Sequence, residues 1–361
     1  MPSAADAALG PNLRWLAALS PWPEGGFGLE RMRALLAELG DPQRDYEAIH
    51  VVGTNGKSTA TRTIESLLLA EGLSVGATVS PHVRAWAERI TVDGAEVDVE
   101  QALARVRAAA EALGATQFET ITAAALAAFA AAGVDVAVVE AGLGGRLDAT
   151  NVLRTRVVLL TNVSLEHTDV LGETEEEIAQ EKLAVAHEDS IVVLPDNRFA
   201  HLVPGRRIAL GGARAAAEAF VGHPIDARPT VSLPGRLELR EDEVRDGAHN
   251  PEGARWLVER LPRADYVVCA SILRDKDADA MLEALASVGT RFVATSSTNA
   301  RALPADELAA RARRHFAHVE AVGDPRAALE RARQLGPPVL VTGSLYLLAD
   351  LEASATSGNR R

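Results

Sequence analysis

The run Gly53-Thr54-Asn55-Gly56-Lys57-Ser58-Thr59 places two glycines, a lysine and three hydroxyls within seven residues. An apolar stretch, Ala48-Ile49-His50-Val51-Val52, precedes it and reads as a buried strand. A helical pattern with apolar Ile64, Leu67 and Leu68 follows. Strand, glycine-containing turn, Lys-Ser/Thr and helix is the layout of a phosphate-binding loop. Backbone N–H groups and the helix N-terminus face an anion, the lysine adds a point charge, and a hydroxyl can reach Mg²⁺. The candidate nucleotide contacts are therefore Thr54, Asn55, Gly56, Lys57, Ser58 and Thr59. A full Walker A pattern has Gly at position 51, where this chain has Val51. The loop is a variant, and alone it supports nucleotide binding without specifying a reaction.

Four further segments carry reactive residue types. Glu140-Ala141-Gly142-Leu143-Gly144-Gly145-Arg146-Leu147-Asp148-Ala149-Thr150-Asn151 follows an apolar run. A carboxylate at a strand end beside a phosphate loop is where a Mg²⁺ ligand would lie, and the three glycines allow close backbone approach. Thr161-Asn162-Val163-Ser164-Leu165-Glu166-His167-Thr168 sets His167 in a polar loop, and Glu181-Lys182 comes fifteen residues later, after Thr174 as a candidate helix cap. On spacing alone Lys182 reads as a solvated cation paired with a neighbouring Glu. Ser80-Pro81-His82 closes another strand and offers a hydroxyl. Arg236, with Asp246-Gly247-Ala248-His249-Asn250-Pro251 downstream, suits phosphate pairing and ribose contacts or, equally, a linker and a capped helix start.

These segments need a scaffold that brings strand ends together. Strands are expected at 48–52, 75–79, 134–139, 157–161 and 191–194, then at 266–270, 291–295 and 338–342. Helical patterns cover 28–39, 59–71, 99–113, 120–132, 173–187, 251–261, 277–287, 304–316 and 325–334. Near-continuous apolar strands between amphipathic helices predict an α/β, doubly wound architecture with parallel sheets covered on both faces and ligands at the strand C-termini. A stretch of weak periodicity, 196–234, separates two strand groups. The predicted division is 1–233, a P-loop-type nucleotide-binding domain, and 234–361, a smaller Rossmann-like C-terminal domain. Residues 1–12 and the tail from Ser354 are expected to be poorly ordered.

Composition narrows the function classes. Fifty acidic against 37 basic side chains give a formal charge of −13, and aromatics are only 4%, which argues against a nucleic-acid surface. The single Cys269 excludes an internal disulfide and a Cys-rich metal site. No apolar run approaches the ~20 residues of a membrane span. A cytoplasmic monomer is the expectation.

Together the segments resemble the folylpolyglutamate synthase/dihydrofolate synthase family of Mur-ligase-like, ATP-dependent amide ligases. The resemblance runs from about Gly28 to Leu347. It rests on Gly28-Leu29-Glu30, His50 to Thr59, Ser80-Pro81-His82, Glu88-Arg89-Ile90, Glu140 to Asn151 and Asp246 to Pro251. Arg274-Asp275-Lys276-Asp277, Arg301-Ala302 and Gly343-Ser344 add to it. It implies that Thr54, Asn55, Gly56 and Lys57 hold ATP phosphates, and that Ser80, Glu140 and His167 bind Mg²⁺. Lys182 would be the family's carbamylated lysine, supporting a second Mg²⁺. Arg236 and Asp246 would contact the nucleotide, and Phe118, Glu119, Leu147, Asp148 and Ala149 the pteroate.

The implied reaction is ligation of L-glutamate to a dihydropteroate or reduced folate carboxylate through an acyl phosphate, with Lys57, Lys182 and His167 as the catalytic set. Competing readings are a cell-wall Mur-type amino-acid ligase and an ATP-binding relative without ligase activity. The chain departs from the family pattern at Ser58-Thr59, where Gly-Ser is usual, at Glu166, where Asp is usual, and at Leu183-Ala184-Val185, where Ala-Gly-Ile is usual. The stretch from Lys182 to Arg236 is tens of residues shorter, and lacks a Gly-x-His-Gln segment.

Overall fold

The structure, a computed structural model, describes residues 9–23 and 26–353. It divides into two compact units, Met1–Val231 and Ser232–Arg361. In the first, α1 (Pro11–Ala18) and α2 (Glu30–Glu38) precede β1 (Glu47–Val52), α3 (Lys57–Ala70) and β2 (Val75–Thr78). The hairpin β3 (Ile90–Val92) and β4 (Ala95–Glu96) leads to α4 (Val99–Leu113), α5 (Gln117–Ala132), β5 (Val136–Glu140) and β6 (Thr155–Leu160). Short α6 (Thr168–Leu171), α7 (Glu175–Leu183), β7 (Ile191–Leu194), β8 (Arg207–Leu210) and α8 (Ala213–Val221) complete it.

The eight strands form one sheet in the order β4-β3-β2-β5-β1-β6-β7-β8. The six from β2 to β8 pair in parallel, while β3 and β4 add an antiparallel edge. Strand alternation distributes the core. Ile49 and Val51 of β1 pack with Ile64, Leu67 and Leu68 of α3, whereas Ala48 and Val52 serve apolar clusters on the opposite face. Helix ends follow local chemistry. Thr116 caps α5 and Thr174 caps α7, each in a reciprocal box with Glu119 or Glu177, and Gly114 and Gly133 close α4 and α5 in left-handed backbone.

The second unit contains β9 (Glu238–Leu239), β10 (Glu243–Arg245), α9 (Pro251–Val258), β11 (Val267–Ala270), α10 (Ala278–Leu285), β12 (Arg291–Ala294), α11 (Ala305–Ala312), β13 (His318–Ala321), α12 (Pro325–Leu335), β14 (Val339–Thr342) and α13 (Leu345–Glu352). Its sheet runs β13-β12-β11-β14-β10-β9, parallel except for β9. Both units are thus α/β with parallel-rich sheets, as the apolar strand runs predict.

The eight expected strands and nine expected helices are all present. The segment 196–234 is richer than expected: it holds β8, which extends the first sheet, and α8, whose Ala216, Ala217 and Phe220 join the core cluster of α3. Ile208 and Leu210 of β8 are exposed, so the strand leaves no buried apolar run to read. The termini expected to be poorly ordered lie mostly outside the described residues, but Pro11 and Asn12 open α1.

Candidate functional site

The topology sets three loops side by side, since β1 pairs with β5 on one edge and β6 on the other. The phosphate loop leaves β1, the glycine-rich loop leaves β5, and the segment from Thr161 leaves β6. This is the point where strand order reverses and ligands collect in such sheets.

The phosphate loop is braced from β6. Thr54 N donates to Asn162 O at 3.0 Å, Asn55 N to Asn162 Oδ1 at 2.8 Å, and Thr161 Oγ1 to Asn55 O at 2.8 Å. Ser164 N reaches Thr54 Oγ1 at 3.2 Å. Gly53 has φ 146°, and a Cβ there would lie 1.9 Å from Thr161 Oγ1, so only glycine fits. Gly56, at φ 78°, turns the chain into α3. Asn162 and Thr161 were quoted in the sequence without a role. Their signal is an amide and a hydroxyl at the end of the strand beside the loop.

Two lysines meet at this loop. Lys57 Nζ donates to Gly53 O at 3.1 Å and Thr54 O at 3.2 Å, and Lys182 Nζ donates to Gly53 O at 3.0 Å. Lys182, on the last turn of α7, is 4% exposed, which overturns the solvated-cation reading. Burial first, then the charge of Lys57, lowers its pKa to about 7 against the opposing pull of Glu166, Asp148 and Glu181. The neutral amine is therefore accessible near neutral pH, the form that carbamylation requires.

Glu140 ends β5, buried, with its two oxygens oriented from two sides. Ser58 Oγ donates to Oε1 at 3.1 Å, and Ser80 N donates to Oε2 at 2.9 Å. Ser58 is buried and Thr59 exposed, so Ser58 is the hydroxyl that reaches the carboxylate. Ser80 meets Glu140 through its backbone. Among the described residues no group of three or more His, Cys, Asp or Glu side chains is placed to hold a metal ion. Glu140 with Ser58 is a hard-oxygen donor pair, which fits Mg²⁺, an ion that fills its remaining positions with water and phosphate oxygens. His167 is half-buried, with φ 52° in the left-handed region that ordinary residues rarely adopt. Its carbonyl accepts from Val170 N and Leu171 N.

The Ser80 segment is tied down by a buried network. Arg62 of α3 donates to Glu65 at 2.9 Å and to Glu88 O at 2.7 Å, while Thr91 Oγ1 donates to Glu65 at 2.5 Å. Glu88 in turn accepts from the N–H groups of Val83, Arg84 and Ala85. Arg89 Nε donates to His82 Nδ1 at 2.9 Å, and burial, reinforced by Arg89, lowers the His82 pKa to about 3. His82 is thus a neutral acceptor.

The glycine-rich loop is closed on itself. Asp148 is buried; Oδ2 accepts from Leu143 N at 2.7 Å, and Oδ1 from Thr150 N at 3.0 Å and from the Thr150 hydroxyl. Its carboxylate shapes the loop rather than facing solvent. Glu119 likewise serves the α5 capping box and pairs with Arg31 at 2.8 Å. Phe118 packs against Gly142, where a Cβ would sit 2.6 Å from the ring, and a Cβ at Gly145 would meet Lys182 O at 2.5 Å. Ala149 is buried, and Leu147 is 45% exposed, the apolar side chain this loop offers outward.

In the second unit, Asp246 is spent on its own loop. It accepts from Leu237 N at 2.6 Å and Ala248 N at 2.8 Å, and burial raises its pKa against these bonds and the nearby Arg236. The Arg274 and Arg301 segments pair through Arg274 N to Arg301 O and Leu303 N to Ile272 O, and their half-exposed guanidiniums face Glu307 and Asp275 respectively.

Both units are similar to known proteins. The family model described as Mur ligase middle domain matches residues 51–205, and that described as Mur ligase, glutamate ligase domain matches residues 235–345. The chain is 33% identical to a dihydrofolate synthase/folylpolyglutamate synthase of Mycobacterium tuberculosis, across 82% of this chain and 80% of that protein. It is similar to the structure of E. coli FolC in complex with DHPP and ADP, with a TM-score of 0.85 at 27% identity, covering 99% of each chain. A bifunctional folylpolyglutamate synthase/dihydrofolate synthase crystallised with Mn, AMPPNP and L-glutamate bound gives a TM-score of 0.83 at 29% identity, covering 97% of this chain and 99% of the other.

Proposed function

The chain belongs to the folylpolyglutamate synthase/dihydrofolate synthase family of Mur-type ligases, and from that premise we propose how its own residues perform the family's reaction. It is an ATP-dependent amide ligase that joins L-glutamate to the carboxylate of a pteroate or folate. The observation that carries the site assignment is the convergence of Lys57 and Lys182 on the Gly53 carbonyl, beside Glu140 and Ser58.

The N–H groups of Gly56 and Lys57, with the side chains of Thr54, Asn55, Ser58 and Thr59, receive the phosphates, and Lys57 moves from its loop carbonyls onto the transferred phosphoryl group. Glu140, with Ser58, Ser80 and His167 of the sequence motifs, would hold a divalent ion, which would neutralise charge on the phosphate oxygens. Lys182, once carbamylated, would offer a carboxylate to a second ion. Phe118 and the Leu147–Ala149 turn form the pteroate side, with Leu147 offering apolar contact and Asp148 and Glu119 holding its backbone frame. Arg236 and the Asp246 loop are assigned to the nucleotide. The acceptor carboxylate attacks the γ-phosphate and expels ADP, and the glutamate amine then attacks the acyl phosphate, losing a proton and displacing phosphate to leave the amide, so no protein nucleophile is required. Positioning carries most of the acceleration.

Among the described residues no helix is long and apolar enough to cross a membrane. A cytoplasmic monomer is proposed, checked by light scattering on the purified chain. The activity test supplies Mg²⁺-ATP and glutamate with dihydropteroate, with a reduced folate monoglutamate, or with neither. Phosphate release should accelerate with at least one pterin. Equal rates in all three arms would remove the folate substrate assignment, and absence of ATP binding would remove the site.

A further inference from the structure

His50 lies on β1, three residues before Gly53, and is fully buried. Strand alternation puts it on the face away from α3, between Ala48 and Val52, which belong to different apolar clusters. An imidazole at such a seam calls for an explanation. Its Nε2 is 2.7 Å from Thr150 Oγ1. That hydroxyl has one proton, and the Asp148 carboxylate, which has none to give, receives it at Oδ1. Thr150 therefore accepts from the ring, and Nε2 carries the ring hydrogen. Nδ1 is left buried without a hydrogen-bond partner. Burial, aided by the nearby His187, lowers the ring's pKa to about 3, so it is neutral at working pH.

The direction of this chain is thus fixed: imidazole N–H to threonine hydroxyl, threonine hydroxyl to carboxylate. Its far end, Asp148, holds Leu143 N with its other oxygen, so the chain spans the loop from both sides. Its near end is the strand that carries the phosphate loop. We propose that His50 is a positioning residue for the ligation: through Thr150 and Asp148 it locks the acceptor-side loop, residues 142–151, in register with the phosphate loop on its own strand. This rests on the reading above that residues 147–149 face the pteroate or folate. In-line attack requires the reacting atoms about 3–3.5 Å apart, and a displacement of about 1 Å costs about a hundredfold. The phosphate loop has separate braces in Thr161, Asn162 and Ser164, so loss of the His50 link should leave nucleotide affinity intact.

The test compares wild type with His50→Leu, Thr150→Val, the double variant, and the conservative His50→Gln and Thr150→Ser. His50→Leu and Thr150→Val should each raise KM for the pterin and lower kcat, together about tenfold or more in kcat/KM. AMPPNP affinity should stay within about twofold, and the double variant should be no worse than the poorer single. His50→Gln keeps a donor and Thr150→Ser keeps the hydroxyl, so both should recover most of the loss. Imidazole ¹⁵N spectra should report the Nε2–H tautomer in wild type. A lower melting temperature with unchanged KM and kcat per active site would reduce His50 to packing, and an Nδ1–H tautomer would reverse the chain's direction; either overturns the proposal. Wild type that ignores every pterin would instead remove the substrate reading, leaving the tautomer and the His50–Thr150 coupling in melting temperature to be judged separately.

Discussion

Two glycine-containing loops leave neighbouring strands of one sheet and solve opposite problems. The phosphate loop is braced from outside, by Asn162, Thr161 and Ser164, and two lysine side chains share one of its carbonyls. The glycine-rich loop is closed mainly from within, since Asp148 takes three donors of its own segment, and His50 reaches it only through Thr150. Glycines in the first clear space for a ligand and a neighbouring hydroxyl. In the second, Gly142 and Gly145 clear space for Phe118 and for the backbone of α7. Similar composition thus yields a receptor in one loop and a rigid wall in the other.

The largest expected effect breaks the receptor. Lys57→Ala should lower kcat by about 10² to 10³ with the fold intact, because it removes the donor proposed for the transferred phosphoryl group. Near-native turnover with an unchanged circular dichroism spectrum would take the lysine out of the mechanism.

Next is the buried cation. Lys182 titrates at about 7 in the folded chain against an ordinary 10.5, so between those values the unfolded state holds a proton the folded state has lost. Stability rises with pH through that window, and the cost of the buried charge is complete below pH 7. In CO₂-free buffer, Lys182→Met should therefore gain most over wild type near pH 6, on the order of a few kcal/mol, with the gain fading toward pH 10. A pH-independent difference would contradict the depressed titration.

Breaking the wall comes third. Asp148→Ala strands three donors and should destabilise the protein by about 3 kcal/mol in denaturant unfolding, while AMPPNP affinity is retained. Loss of nucleotide binding instead would mean the two loops are one unit. The finest contrast is between adjacent hydroxyls. Ser58→Ala should raise the Mg²⁺ concentration for half-maximal activity about tenfold or more, the worth of a hydrogen bond to a charged group, and Thr59→Ala should not. Equal effects would erase the distinction.

Apolar runs made the parallel strands and most helices legible, because a strand buried on both faces has no polar alternation to confuse it. The β3–β4 hairpin escaped notice although Asp93-Gly94, both at positive φ, marks its turn. Its strands are only two and three residues long. β10 is hidden differently: its Glu243 and Arg245 break any apolar run, yet both are buried, paired with each other and with Arg333 and Glu352. Pairing across long separations is not written in local pattern. The same limit applies to Lys182, whose burial depends on the β1 turn, and to Asp148, whose partners could not be counted from spacing. By contrast Glu140 was placed correctly at a strand end from the apolar run alone.

The brace on the phosphate loop also has a schedule. Asn55 meets Asn162 across 107 residues of sequence. During synthesis, the segment Gly53–Lys57 therefore waits about 5 to 20 s, at about 5–20 residues per second, before its clamp exists. Until then the chain has the letters of a nucleotide site and no site. ATP can assist folding only after the first sheet has gained β6, late enough that most of the first unit must find its arrangement without help from its ligand.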